Sequence, residues 1–188
     1  MREIDQSTGF TYLEDREIFE KVLLESILNA KKSILISTAN LRNIRIPKSR
    51  KSRKTISCVE FFWRKVQDGV EVRILHSARP TTSWLPDEEK SDERGKPTFV
   101  RRRCPRVHFK AVIVDGCECF VGSANLTGAG LGAKSEYKRN FETGFWTTGK
   151  SFISLMQERF EKIWQGGFCD KCKIKPDHCD LPLSELPR

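Results

Sequence analysis

His108 and Lys110 stand two residues apart in the run His108-Phe-Lys110-Ala-Val-Ile-Val-Asp115, an H-x-K-x4-D pattern. Six residues further on comes Gly122-Ser123-Ala124-Asn125. Imidazole is a nucleophile, and an ammonium group neutralises a developing oxyanion. Projected together from a rigid support, the two suit attack on a phosphate. Strand alternation supplies that support. It puts His108 and Lys110 on one face, with Phe109, Ala111 and Ile113 on the other.

The surrounding elements can be read from apolar spacing and turn residues. Ile18, Val22, Leu23, Leu24, Ile27 and Leu28 form a stripe that predicts a helix over 14–30. Ser33 to Thr38 reads as a buried strand. Ser57 caps a second helix running to about Gln67, which Gly69 closes, and Val70 to Leu75 is the next strand. Residues 77–97 hold three prolines, a glycine and many charges, so they predict a long loop. Strands follow at about 98–103, 107–114, 118–123 and 140–147. Gly128, Gly130 and Gly132 predict a flexible loop after Asn125. A last helix spans Ser151 to Trp164 and stops at Gly166-Gly167. Helices alternating with strands, several of them consecutive, argue for a mixed sheet covered by helices.

The pattern resembles the signature of the phospholipase D superfamily, H-x-K-x4-D-x6-G-S-x-N. His108, Lys110, Asp115, Gly122, Ser123 and Asn125 all sit at that spacing. The resemblance spans residues 10–165 and implies an α/β fold, an α-β-α sandwich with a central mixed β-sheet. It implies a phosphodiesterase domain over 1–166, followed by a Cys-rich tail over 167–188. It also implies that His108 attacks phosphorus to give a covalent phosphohistidine, while a second histidine protonates the leaving oxygen. Lys110 and Asn125 would bind the non-bridging oxygens, with Ser123 beside them. Glu142 matches the family's downstream acid and would orient the imidazole. Asp115 completes the catalytic set by motif position. Its strand parity differs from that of His108, so a structural role at the turn by Gly116 is expected.

The chain has three histidines, His76, His108 and His178, and only His108 lies in an H-x-K context. One chain therefore supplies half of such a site. A homodimer is expected, with two copies of His108 facing across a two-fold axis. His76 reads as an ordinary strand-end histidine. The chemistry requires no metal cofactor, because side chains supply both nucleophile and cations.

A formal charge of +9 on 188 residues favours a polyanionic partner. Two basic segments flank the motif. One is 42–54, with Arg42, Arg45, Lys48, Arg50, Lys51, Arg53 and Lys54; the other is Arg101, Arg102, Arg103 and Arg106. Arg50, Lys51, Arg53, Lys54 and the four arginines before His108 are the candidate backbone-binding residues of a DNA or RNA track. Trp84 and Phe99 offer stacking surfaces. An endonuclease is the leading expectation. The alternatives are an enzyme acting on anionic phospholipid and a nucleic-acid-binding module without catalysis. No stretch approaches the ~20 apolar residues of a membrane span. The polar opening Met1 to Gly9 is unlike a signal peptide, so a cytoplasmic location is expected.

Seven cysteines cannot all pair within one chain. Cys169-x2-Cys172 has metal-knuckle spacing, and His178 and Cys179 follow. Adjacent residues rarely bind the same ion, so one of these two is expected to serve. A fourth ligand must then come from Cys58, Cys104, Cys117, Cys119 or a partner chain. Structural zinc is the first expectation, an iron-sulfur cluster the second, and a metal-free tail the third.

Overall fold

The computed structural model describes residues 2–5, 9–49, 52, 54–79, 99–174, 178–179 and 181–186, the first four through their backbone alone. Arg50, Lys51, Arg53, Trp84 and most of the expected 77–97 loop lie outside the described residues.

Apolar residues alternate along the central strands, and this alternation builds two cores. In β3 (Ser33–Thr38), Ile34 and Ile36 face one way and Leu35 the other. In β6 (Glu71–His76), Val72 and Ile74 oppose Leu75, and in β8 (Lys110–Val114), Val112 and Val114 oppose Ile113. The first face is covered by α1 and α2. The helix α1 begins at Arg16–Ile18 and continues with π-type hydrogen bonding over Phe19–Ile27; α2 spans Cys58–Gln67. The second face takes Ile153, Phe160 and Trp164 of α3 (Lys150–Trp164). Helices on both faces of one sheet make the α-β-α sandwich, as expected.

The remaining strands are β1 (Arg2–Asp5), β2 (Phe10–Glu14), β7 (Phe99–Arg103), β9 (Glu118–Gly122) and β10 (Thr143–Thr147). The eight-stranded sheet runs β1-β2-β10-β9-β8-β3-β6-β7. β3, β6 and β7 are parallel, and the β3–β8, β8–β9, β9–β10 and β10–β2 pairs are antiparallel. The sheet is therefore mixed. Ser57 caps α2 by accepting from the Glu60 amide at 3.1 Å, and Gly69 leaves it at φ +89°.

β1 and β2 have no counterpart in the sequence reading, and Glu14, expected in the first helix, ends β2. Three further features differ from that reading. The basic segment 42–54 holds the first strand of a hairpin, β4 (Arg45–Pro47), whose partner β5 (Thr55–Ser57) follows just beyond it. Its two isolated apolar residues, Ile46 and Ile56, pair across the register and are both buried. The strand expected from 107 starts at Lys110, because its neighbours end there: Lys110 pairs with Gly122, the last residue of β9. The strand expected from 140 starts at Thr143, and 140–142 instead makes irregular contacts.

Asp115 sits at the far end of β8 from His108. Asp115 and Gly116 both have positive φ, +53° and +66°, as a tight Asp-Gly hairpin turn requires. Its carboxylate accepts from the amides of Lys31 (2.9 Å), Lys32 (2.7 Å) and Ser33 (2.9 Å). The catalytic place that motif position gave it is therefore corrected: it anchors the α1–β3 junction. Burial alone would raise its pKa by disfavouring the charged form. The three amides and the Lys32 charge outweigh burial and hold the carboxyl below its ordinary value. A depressed carboxyl stabilises the fold above the ordinary aspartate range, and that stability fades as the pH falls through its folded value. Asp115→Ala is expected to cost about 1–2 kcal/mol near neutrality. The deficit shrinks as the pH falls below the ordinary aspartate range, and urea unfolding of both proteins at each pH measures it.

Candidate active site

One end of the sheet collects the motif. The C-terminal end of β3, the start of β8, the end of β9 and the start of β10 all lie there, since Ser37 pairs with Ala111, Lys110 with Gly122, and Gly122 with Gly144. His108 is exposed, in the extended lead-in to β8. Lys110 Nζ donates to the His108 carbonyl at 2.7 Å and lies 3.5 Å from His108 Nδ1. The ammonium and imidazole thus share one side, while Phe109 packs into the α3 core.

Asn125 is held by its acceptor. Its Oδ1 receives the amides of Ala39 (3.1 Å) and Asn40 (2.9 Å) and the Thr38 hydroxyl (3.2 Å). Two backbone donors fix which side of the carboxamide is oxygen, so the Nδ2 donors are the side left for an anion. Thr38 braces this arrangement, because its hydroxyl oxygen also accepts from the Leu126 amide at 3.0 Å.

Glu142 is buried, at 7% exposure. One carboxylate oxygen accepts from the Ser123 hydroxyl and the other from Asn140 Nδ2 at 3.0 Å. The Glu142 amide donates to Asp15 Oδ1 at 2.8 Å, and Asp15 returns its own amide to the Glu142 carbonyl at 2.9 Å. Within one chain, then, Glu142 holds Ser123 and Asn140. Gly122 leaves no room for a side chain: a Cβ would run into the Thr143 carbonyl and lie 2.8 Å from Gly144 Cα. Glycine therefore lets the β9 end close onto β10 and puts Ser123 within reach of Glu142.

Beside Asn125 an open polar groove of about 600 Å³ is lined by Asn40, Arg42, Arg45, Lys134 and Asn140, among others. Arg45 is fixed by bonds to Thr55, 3.1 Å to its hydroxyl and 2.6 Å to its carbonyl. Lys54 is exposed, and its carbonyl closes the same hairpin on the Lys48 amide at 3.0 Å.

The arginines before His108 do not form one track. Arg102 is buried, donates to the Trp164 carbonyl at 2.9 Å and lies over the Trp164 ring at 4.5 Å. It is a core residue, which corrects its place among the phosphate-binding candidates. Arg101 pairs in register with Ile74, on the opposite face of β7. Arg103 donates to the carbonyls of Ser77 (3.0 Å) and His178 (3.1 Å). It lines a cavity beside the tail together with Arg106. Phe99 packs edge-on against Trp63 with centroids 5.4 Å apart and is no free stacking platform. His76 ends β6 at the same sheet end but is buried, with Nδ1 2.9 Å from the Ala78 carbonyl.

Sequence reasoning missed Thr38, Asn40, Asp15 and Lys134. Thr38 and Asn40 were legible in kind, since they follow the first strand at the end where the motif begins. Asp15 and Lys134 carry no local signal. They reach the site only through the tertiary fold.

A sheet sandwiched by helices thus carries a histidine, a lysine and an asparagine gathered at one strand end. A family model described as "cardiolipin synthase, PLD-like domain" matches residues 23–164. The chain belongs to the phospholipase D superfamily of phosphodiester-acting enzymes. Among solved structures it is similar to the phospholipase D family member Nuc from Salmonella typhimurium, with 19% identity and a TM-score of 0.58, covering 83% of this chain and 93% of that one. It is also similar to phosphatidylserine synthase from Haemophilus influenzae Rd KW20, with 15% identity and a TM-score of 0.58, covering 84% of this chain and 37% of that one. No curated protein sequence matches the chain. No helix among the described residues is long and apolar enough to cross a membrane.

Proposed function

We propose that the protein is a nuclease that cleaves phosphodiesters through a phosphohistidine intermediate at a homodimer interface. The observation that carries this reading is the gathering of exposed His108, Lys110 Nζ and the acceptor-locked Asn125 at one sheet end, where a cationic groove opens beside Asn125. His108 attacks phosphorus and displaces the leaving oxygen. Lys110 and the Asn125 carboxamide stabilise charge on the non-bridging oxygens. His108 of the partner subunit protonates the leaving group and then activates the water that releases the phosphoryl group. Arg42, Arg45 and Lys134 supply positive charge along the groove, suited to a nucleic-acid backbone. Nucleophile and cations are all side chains, so no metal enters the step.

A phospholipid substrate is the second reading. Tyr137 and Phe141, each 95% exposed, lie on the segment leading to Glu142, and exposed aromatic rings suit a membrane interface. The structural similarity to a phosphatidylserine synthase is compatible with it. Assays in excess EDTA separate the readings. The folded wild type is expected to cut labelled DNA or RNA at its metal-replete rate, and His108→Ala to cut neither. Headgroup release from anionic liposomes without nuclease activity would move the assignment to lipid. Nucleic-acid binding without cleavage, unchanged in His108→Ala, would leave only a binding module.

A further inference from the structure

We infer that Cys104, Cys169, Cys172 and Cys179 form a four-cysteine structural zinc site that clasps the C-terminal tail to the turn leading into His108. One cavity of about 440 Å³ is lined by all four of these residues, drawn from the end of β7, the segment after α3 and the tail. The cysteines at the other three positions lie elsewhere. Cys58 is buried at the start of α2 against the Arg42 carbonyl, Cys119 is buried within β9, and Cys117 is exposed on the β8–β9 turn.

The backbone around the cavity is already folded for ligation. The Cys172 amide donates to the Cys169 carbonyl at 2.9 Å, and the Cys169 amide to the Gly166 carbonyl at 2.9 Å, so the C-x2-C pair is wound into consecutive turns. Cys104 heads its own turn, donating to the His76 carbonyl at 2.8 Å and accepting from the Val107 amide at 2.9 Å. The cavity also decides between the adjacent candidates, since Cys179 lines it and His178 does not. As placed, no three metal-binding side chains among the described residues stand close enough to hold an ion. The thiols must therefore rotate inward when the metal arrives.

The charge balance favours this. One Zn²⁺ displaces the protons of four thiols and leaves a complex of net charge −2, with the protons released to solvent. Arg103, Arg106 and Arg159 line the same cavity and offset that charge. Cys104 is separated from His108 only by Pro105, Arg106 and Val107. The ion would fix the approach to the catalytic strand without touching the reacting atoms.

Metal analysis of the full-length chain tests the assignment without any activity assay, so its outcome is separate from the nuclease reading. About one zinc per chain is expected in wild type, His178→Ala and Cys117→Ser, and a loss of that zinc in Cys104→Ser and Cys172→Ser. Because a serine variant can fail to fold, the wild type is also loaded with Co²⁺, which should show the intense thiolate charge-transfer spectrum of a tetrahedral four-sulfur site. A metal-free wild type with no cobalt spectrum overturns the proposal. So does zinc that survives Cys104→Ser, zinc lost in His178→Ala, or an iron-containing visible chromophore in place of zinc.

Discussion

His108→Ala is expected to lower phosphodiester hydrolysis by about 10⁴-fold or more, since it removes the attacking atom and no other group replaces it. The fold should hardly notice. His108 is exposed, and its ring contacts only the Lys110 ammonium at 3.5 Å among the described bonds, so the melting temperature should stay within about 2 °C. The covalent step adds a sharper readout. Wild type quenched in alkaline denaturant during turnover should carry label from the substrate phosphate, and the variant none. Mixed dimers then test the half-site argument. If one subunit's histidine attacks while the other's protonates the leaving oxygen, a wild type/His108→Ala heterodimer should be nearly as inactive as the double variant. A heterodimer with half of wild-type activity would show each His108 working alone and would overturn the shared site.

Much of this arrangement was legible because local and global signals agree. Ser57 and Gly69 bracket α2 in the sequence as they do in the fold, and the Ile34-Leu35-Ile36 alternation reappears as two cores. The H-x-K spacing also predicted that Lys110 and His108 share a side, even though β8 begins only at Lys110. What stayed illegible depends on partners distant in sequence. Arg102 reads as a surface cation in a basic run, yet its guanidinium reaches across the sheet to the end of α3 and lies over the Trp164 ring. The arginine run therefore overstated the cationic track, and the groove takes its charge from Arg42, Arg45 and Lys134 instead. Glu142 matched an expected acid, but which groups its two oxygens hold was set by Ser123 and Asn140. The β4–β5 hairpin escaped because its only apolar pair, Ile46 and Ile56, is embedded among lysines and arginines.

Asn125 allows binding and folding roles to be separated by a single atom. Its oxygen is committed to the Ala39 and Asn40 amides and its nitrogen to the site. Asn125→Asp keeps an oxygen acceptor for both amides but replaces the donor side with a negative charge facing the phosphate. Hydrolysis should fall by about 10²–10³-fold, the scale of losing one preorganised oxyanion donor. The melting temperature should hold, since an ionised carboxylate accepts amide bonds at least as well as a carboxamide. Asn125→Ala loses both functions. Activity should drop comparably, and stability should fall by about 2 kcal/mol as two backbone donors lose their acceptor. The pair of variants is decisive because one change separates from the other only if the carboxamide is oriented as described. If Asn125→Asp turns over substrate near the wild-type rate, the Nδ2 group does not meet the phosphate, and Lys110 alone carries the charge that develops there. If it instead unfolds as readily as Asn125→Ala, the acceptor side was not what held the β3 end in place.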